Sequence, residues 1–389
     1  MPVSKTLRPN TSADVVIVGG GVIGLTIARA LARRGVSDVM LIERRQPGAE
    51  ASWAAGGILA PQVEADRADD FFRLAAASRD LYPAFAESLK EETGIDVELD
   101  RTGTLCLGFT DKDEAELRSR YDWQSGEGLS VEWLTGDEAR RMEPCLSQQV
   151  RCALRLPNDY QVENRRLIKA LVKANERLGV CLVTDCHVSE LLTENDVVRG
   201  VETSDGFIAA PVVVLAAGAW TSQISSSGTT LPQLEPVRGQ MLCYETRPPI
   251  ARQVIFSSHG YLVPRRDGRL LAGSTTEWVG FDKRVTDEGV RAIKSMAIEI
   301  APALAQLTPI DSWAGFRPRA TDDLPVLGPC EEIAGLFHAT GHYRNGILLA
   351  PITAELIAAA LVDGAMPSML AAFSPDRFRE ARRTLGVFS

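Results

Sequence analysis

Gly19-x-Gly21-x-x-Gly24, followed by Glu43, is the first group of residues whose types and spacing point to chemistry. Glycine at these positions permits a tight turn, lets backbone N–H groups approach a ligand closely, and seats a helix against a strand. A helix start presents unpaired N–H groups and the positive end of its dipole, so the ligand expected there is an anion, the pyrophosphate of a dinucleotide. Glu43 follows at roughly the 20-residue separation at which a carboxylate can accept the hydroxyl protons of an adenosine ribose. This motif leaves nicotinamide and flavin equally open. A second group, Gly341-His-Tyr-Arg-Asn-Gly346, puts Arg344 and Asn345 in a polar glycine loop before a helix beginning near Ile347 and Leu348, a second anion-facing helix end.

The elements that must hold these residues follow from periodicity. Val15–Val18 is a short apolar strand, Val22 and Ile23 open a helix with Ile27, Ala28 and Leu31 at helical spacing, and Val39 to Glu43 is the next strand. The stretch 51–61 concentrates small residues, including Ser52, Ala54, Ala55, Gly56, Gly57 and Ile58. It reads either as a loop beside a flat ring system or as a small-residue helix-packing surface. Helices are predicted over 69–92, as one helix or a pair, and over 111–123, 137–144, 164–179, 287–301 and 347–362. Short strands around 103–109, 131–134, 237–244, 260–264 and 270–275 break the βαβ rhythm and imply a second, mostly antiparallel sheet. A meander starting at Val188 leads to the apolar run 211–220, whose end places Ala217, Gly218 and Trp220 near the cofactor.

The fold class expected is therefore α/β, α+β overall: a Rossmann-type dinucleotide-binding domain with an interleaved substrate domain. The boundaries expected are 1–85, 150–225 and 318–389 for the first and 86–149 and 226–317 for the second.

Composition narrows the function classes. With 389 residues, 45% of them hydrophobic, the chain can bury a large core. A net charge of −9 without a long basic run argues against nucleic acid or an anionic membrane as partner. No apolar stretch reaches membrane-spanning length and the tail 1–13 has no apolar core, so a cytoplasmic location is expected. Seven scattered cysteines without a CxxC pair read as reduced thiols, and four histidines without HExxH support no metal site.

The chain resembles the D-amino-acid-oxidase-like flavoenzymes, and within them the glycine oxidases associated with thiamine biosynthesis. The resemblance spans nearly the whole sequence. It is carried most specifically by Gly341 to Pro351, by Trp313-Ala-Gly-Phe-Arg-Pro318, by the 52–61 stretch and by Tyr261-Leu-Val-Pro-Arg265. It implies noncovalent FAD, since the cysteine that related sarcosine oxidases link to flavin has no counterpart around Phe316 and Arg317, and Cys330 lies elsewhere. Cofactor contacts are then expected from Gly19, Gly21, Val22, Ile23, Gly24, Glu43 and Arg44, from Ser52 and 54–58, from Val188, Ala217, Gly218 and Trp220, and from Gly341 and 344–348.

The implied reaction is oxidation of glycine, sarcosine or small D-amino acids to an imine by hydride transfer to flavin N5. Dioxygen takes the electrons, giving hydrogen peroxide, an oxo acid and ammonia or an amine. The resemblance implies that Arg317 holds the substrate carboxylate with Tyr261 beside it, and that Arg344 lies near the pocket entrance, although Arg344 could simply cap its loop. It further implies a homo-oligomer, a tetramer. Thr276 stands where those glycine oxidases place a methionine near the substrate, a change able to shift substrate preference. The alternatives are a D-amino-acid dehydrogenase with another electron acceptor, and a noncatalytic flavin-binding module.

Overall fold

The computed structural model describes residues 11–226, 228–229, 231–364 and 366–378. Residues 1–10, expected to hold no leader-like core, and 379–389, expected with the dinucleotide-binding domain, lie outside the described residues.

Val15–Val18 is a central strand of a six-stranded sheet, flanked in parallel by Val39–Ile42 and Val212–Leu215. Cys181–Val183 and Leu336–Thr340 continue the sheet in parallel on either side, and antiparallel Val326–Pro329 forms one edge. A strand buried on both faces must be apolar throughout, which accounts for its unbroken valine and isoleucine run. Val15 and Ile17 face the helices Val22–Arg33, Asn164–Arg177 and Gly346–Val362. Val16 and Val18 face a smaller sheet on the other side, where Val188–Glu194, Val197–Thr203 and Gly206–Ala209 form the expected meander. Ser225–Ser226 adds a fourth, parallel strand to it.

The second large sheet has eight strands, ordered Asp311–Ala320, Leu234–Glu245, Arg269–Gly273, Gly260–Pro264, Val254–Ser257, Thr104–Gly108, Cys152–Leu156 and Glu132–Thr135. Its pairings are antiparallel except between 254–256 and 104–106. Cys152–Leu156 belongs to this sheet, whereas a boundary at 150 would put it with the dinucleotide-binding part. Two registers prepare the site: Gly239 pairs with Gly315 and Val237 with Arg317.

The helix expected over 69–92 is a single helix, Asp70–Thr93, capped by Asp69 and ended by Gly94 in the left-handed region. It supports the Gly346–Val362 helix at a defect. Pro351 has no N–H, so the Ile347 carbonyl lacks its intrahelical donor. The Tyr82 hydroxyl donates to that carbonyl and Ser78 Oγ donates to the Leu348 carbonyl at 2.6 Å. Apart from Glu355, which is exposed and pairs with Arg34, this helix is apolar around its circumference and mostly buried over 347–358. Its first residues are thereby fixed where they face the cavity between the two sheets.

Candidate active site

The glycine loop after Val18 closes tightly, with Gly19 at φ +111°, where a side chain would strike the Ala216 carbonyl. Gly24 packs directly on the Gly19 carbonyl, the close helix–strand approach its spacing predicts. Glu43 faces this loop: Oε2 accepts from Gly20 N at 2.8 Å and Oε1 from Arg45 N at 2.9 Å. Burial raises its pKa above the ordinary carboxylate value, against the opposing pull of those two N–H groups. Ser52 has a role the sequence did not reveal, accepting from Val22 N at 2.9 Å and capping a helix whose own N-cap, Gly21, has no side chain. Beyond Glu43, the Arg44 guanidinium lies 3.7 Å from the Trp220 ring centroid and bonds Glu50, which also pairs with Lys283.

The 51–61 stretch is partly helical and partly strand: Ala51–Ala54 is a short helix and Ile58–Leu59 pairs with Tyr160–Gln161. The stretch lines the cavity and also serves as a packing surface. A Cβ on Gly315 would fall 2.6 Å from Ala54 Cβ, and Trp313 Nε1 donates to the Ala54 carbonyl at 3.0 Å. From beneath, Arg265 donates to the Gly56 carbonyl at 2.8 Å, the Val162 carbonyl at 3.0 Å and Asn164 Oδ1 at 3.1 Å. Arg265 is buried without a salt-bridge partner among the described residues, and desolvation lowers its pKa to about 10.

At the far end, Arg317 Nη2 donates to Ser274 Oγ at 2.6 Å and Nη1 to the Thr275 carbonyl at 3.1 Å. Among the described residues no carboxylate lies within ion-pair distance of it. Gly239 leaves room for the guanidinium, since a Cβ there would lie 2.6 Å from Arg317 Cζ. The Tyr261 hydroxyl is 3.3 Å from Ser274 Oγ and 3.5 Å from Met241 Sδ, and its ring packs on Phe256. Arg344 Nη2 pairs with Glu64 at 3.3 Å, and this carboxylate raises the Arg344 pKa. His342 is buried with Nε2 3.0 Å from Thr353 Oγ1, and burial pushes its pKa down to about 3, keeping it neutral.

One cavity joins these ends and encloses about 1780 Å³ with its open mouth. Its lining runs from Gly19 and Glu43 at one end to Tyr261 and Arg317 at the other. Every residue expected to touch cofactor or substrate lines it except Gly24, Gly341 and Leu348. Gly24 sits in its helix against the Gly19 carbonyl, Gly341 takes φ +71° in its loop, and Leu348 lies in the core against the long helix. Thr276 is exposed and outside the cavity, whereas Met241 lines it from the neighbouring strand. Glu64, Gly239, Met241, Ser274 and Gly315 were missed by the sequence reading. Only the strand pattern around 239–241 hinted that inward-facing residues were there.

The fit to a flavin dinucleotide rests on this cradle. Gly19 and Gly21 present bare backbone at the helix start, the Glu43 carboxylate accepts from Gly20 of the same loop, and small residues line the central span. Residues 14–360 match the FAD dependent oxidoreductase (DAO) family. The chain belongs to this family. A glycine oxidase of Geobacillus kaustophilus is 38% identical over 347 residues, 89% of this chain and 92% of that protein. A crystal structure of glycine oxidase from Geobacillus kaustophilus superposes with a TM-score of 0.89 at 37% identity, covering 94% of this chain and 98% of that chain. A bifunctional ThiO/ThiG protein of Trichormus variabilis is 37% identical over 380 residues, 97% of this chain and 57% of that protein.

The chain thus uses FAD, with Gly19, Gly21 and the Val22 helix start suited to its pyrophosphate and Glu43 to its ribose. Among the described residues no cluster of three histidine, cysteine or acidic side chains could hold a metal. No helix among them is long and apolar enough to cross a membrane.

Proposed function

We propose that this protein is a glycine oxidase: an FAD-dependent enzyme that oxidatively deaminates glycine and other small amines, sarcosine and small D-amino acids among them. The observation that carries this reading is Arg317, a guanidinium facing the dinucleotide cavity with only a hydroxyl and backbone carbonyls as partners. A cation so placed is complementary to a substrate carboxylate, which it can grip through two parallel hydrogen bonds. Tyr261 stands beside it as a second donor, and Phe256 and Met241 limit the room for a substrate side chain.

When bound, FAD supplies the two-electron acceptor for hydride from the substrate α-carbon. Arg317 and Tyr261 fix the carboxylate and so orient the adjacent C–H bond, the positioning on which such a transfer depends. No side-chain base is required if the substrate amine loses its proton to water. Glu64 is engaged by Arg344, and neutral His342 by Thr353. Arg344, half exposed at the cavity, guards the entrance with Glu64.

The division into a dinucleotide-binding part and a substrate part, the latter including the strand Cys152–Leu156, belongs to the same proposal, as do dioxygen as acceptor, a homotetramer, a cytoplasmic location and a role in thiamine biosynthesis. The identity to a ThiO/ThiG protein supports the last of these. Steady-state turnover of glycine in air tests the oxidase reading: one hydrogen peroxide per glycine consumed is expected. Glycine turnover that yields no peroxide and proceeds only when a quinone is added would assign a dehydrogenase instead.

A further inference from the structure

Ser274 stands at the meeting point of the two groups proposed to hold the substrate carboxylate, and nothing so far gives it a task of its own. Its hydroxyl accepts from Arg317 Nη2 at 2.6 Å and lies 3.3 Å from the Tyr261 hydroxyl, and the residue lines the cavity. A serine oxygen carries one proton and two acceptor lone pairs. A guanidinium only donates, so Arg317 necessarily occupies a lone pair and cannot take the serine proton. Tyr261 has a second acceptor within reach, Met241 Sδ at 3.5 Å, and is therefore not bound to serve Ser274.

The geometry points to Ser274 as a third donor to the substrate carboxylate, completing a wall whose members, Arg317, Tyr261 and Ser274, can all donate to one anion. This inference rests on the carboxylate site proposed above and assigns a further residue to it. The short bond from Arg317 withdraws electron density from the serine oxygen and makes its O–H a better donor, as bonds in a chain polarise one another. Ser274 also helps hold the Arg317 fork, whose Nη1 is engaged by the Thr275 and Arg238 carbonyls. Three donors converging on one group favour a free carboxylate over a carboxamide, which offers one acceptor oxygen and no charge for Arg317 to pair with. The substrate class is then amines bearing an ionised carboxylate.

The test is acetate binding to the FAD-loaded protein, followed through the perturbation of the flavin visible spectrum, with wild type, Ser274→Ala, Ser274→Thr and Arg317→Ala compared. A hydrogen bond to a charged group is worth roughly a 10- to 100-fold change in affinity. Ser274→Ala is expected to weaken acetate by about that factor with its flavin still bound, while Ser274→Thr, which keeps the hydroxyl, stays within a few-fold of wild type. Equal acetate affinity in wild type and Ser274→Ala, with binding abolished in Arg317→Ala, overturns the role of Ser274 and leaves the carboxylate site standing. Absence of acetate binding by wild type, or undiminished binding by Arg317→Ala, overturns both.

Discussion

The guanidinium of Arg317 lies against Gly239 on the facing strand, at a spot where any added Cβ would come within 2.6 Å of Cζ. The glycine is a space reserved for the arginine. Gly239→Ala should therefore displace a flexible side chain rather than unfold the sheet. The expected outcome is an increase in glycine KM of roughly 10- to 100-fold, the loss of a charge-assisted pair, with FAD content unchanged. Steady-state kinetics alongside the flavin-to-protein absorbance ratio check it.

Glu43 is fixed by Gly20 N and Arg45 N, each on one carboxylate oxygen. In Glu43→Gln one of those N–H groups meets an NH2 group, and the second acceptor for the ribose is lost. FAD affinity should fall by about 10-fold. In the wild-type protein the carboxylate is the binding form, and burial raises its pKa above 4.5, so FAD affinity should decline with falling pH, starting higher than for an exposed glutamate. Equilibrium dialysis of FAD against the apoprotein at stepped pH measures both effects.

Tyr82 supplies the donor that Pro351 denies to the Ile347 carbonyl. Tyr82→Phe leaves a buried carbonyl unsatisfied and should cost about 1–3 kcal/mol of stability. Because Ile347 opens the helix that faces the cavity, FAD should also dissociate faster. Thermal melts and flavin release rates check the pair of effects together.

Acid should destabilise the protein through two buried histidines. Burial lowers the pKa of His342 to about 3 and of His338 to about 4, from 6.5. The unfolded chain takes up these protons below pH 6.5 while the folded chain does not, so the unfolded state binds more protons and stability falls as pH drops through this window. Each histidine contributes about 1.4 kcal/mol per pH unit. His342→Gln should reduce the stability difference between pH 7 and pH 5, as read from urea melts.

The parts of the site legible in the sequence are those written in consecutive residues. Gly19, Gly21, Gly24 and Glu43 span one strand–helix–strand unit, and their spacing alone carries the geometry. Ser274, Met241 and Gly239 come together only because the strand Leu234–Glu245 pairs with two strands distant in sequence. Period-two alternation shows that residues face inward, but not which partner they meet. Thr276 shows the same limit: it follows the strand that carries the site, yet its side chain falls outside the cavity. Glu64 was hidden for another reason, since an acid in a short helix after a small-residue stretch looks like a solvated one until Arg344 is placed against it.

Anaerobic mixing of the FAD-loaded protein with glycine tests the central claim, that Arg317 directs a small amino acid onto the flavin. The flavin absorbance of the wild-type protein should bleach on adding glycine, and that of Arg317→Ala, still yellow, should bleach only at far higher glycine. Wild-type protein that stays yellow with glycine, sarcosine, D-alanine and D-proline alike would contradict the account.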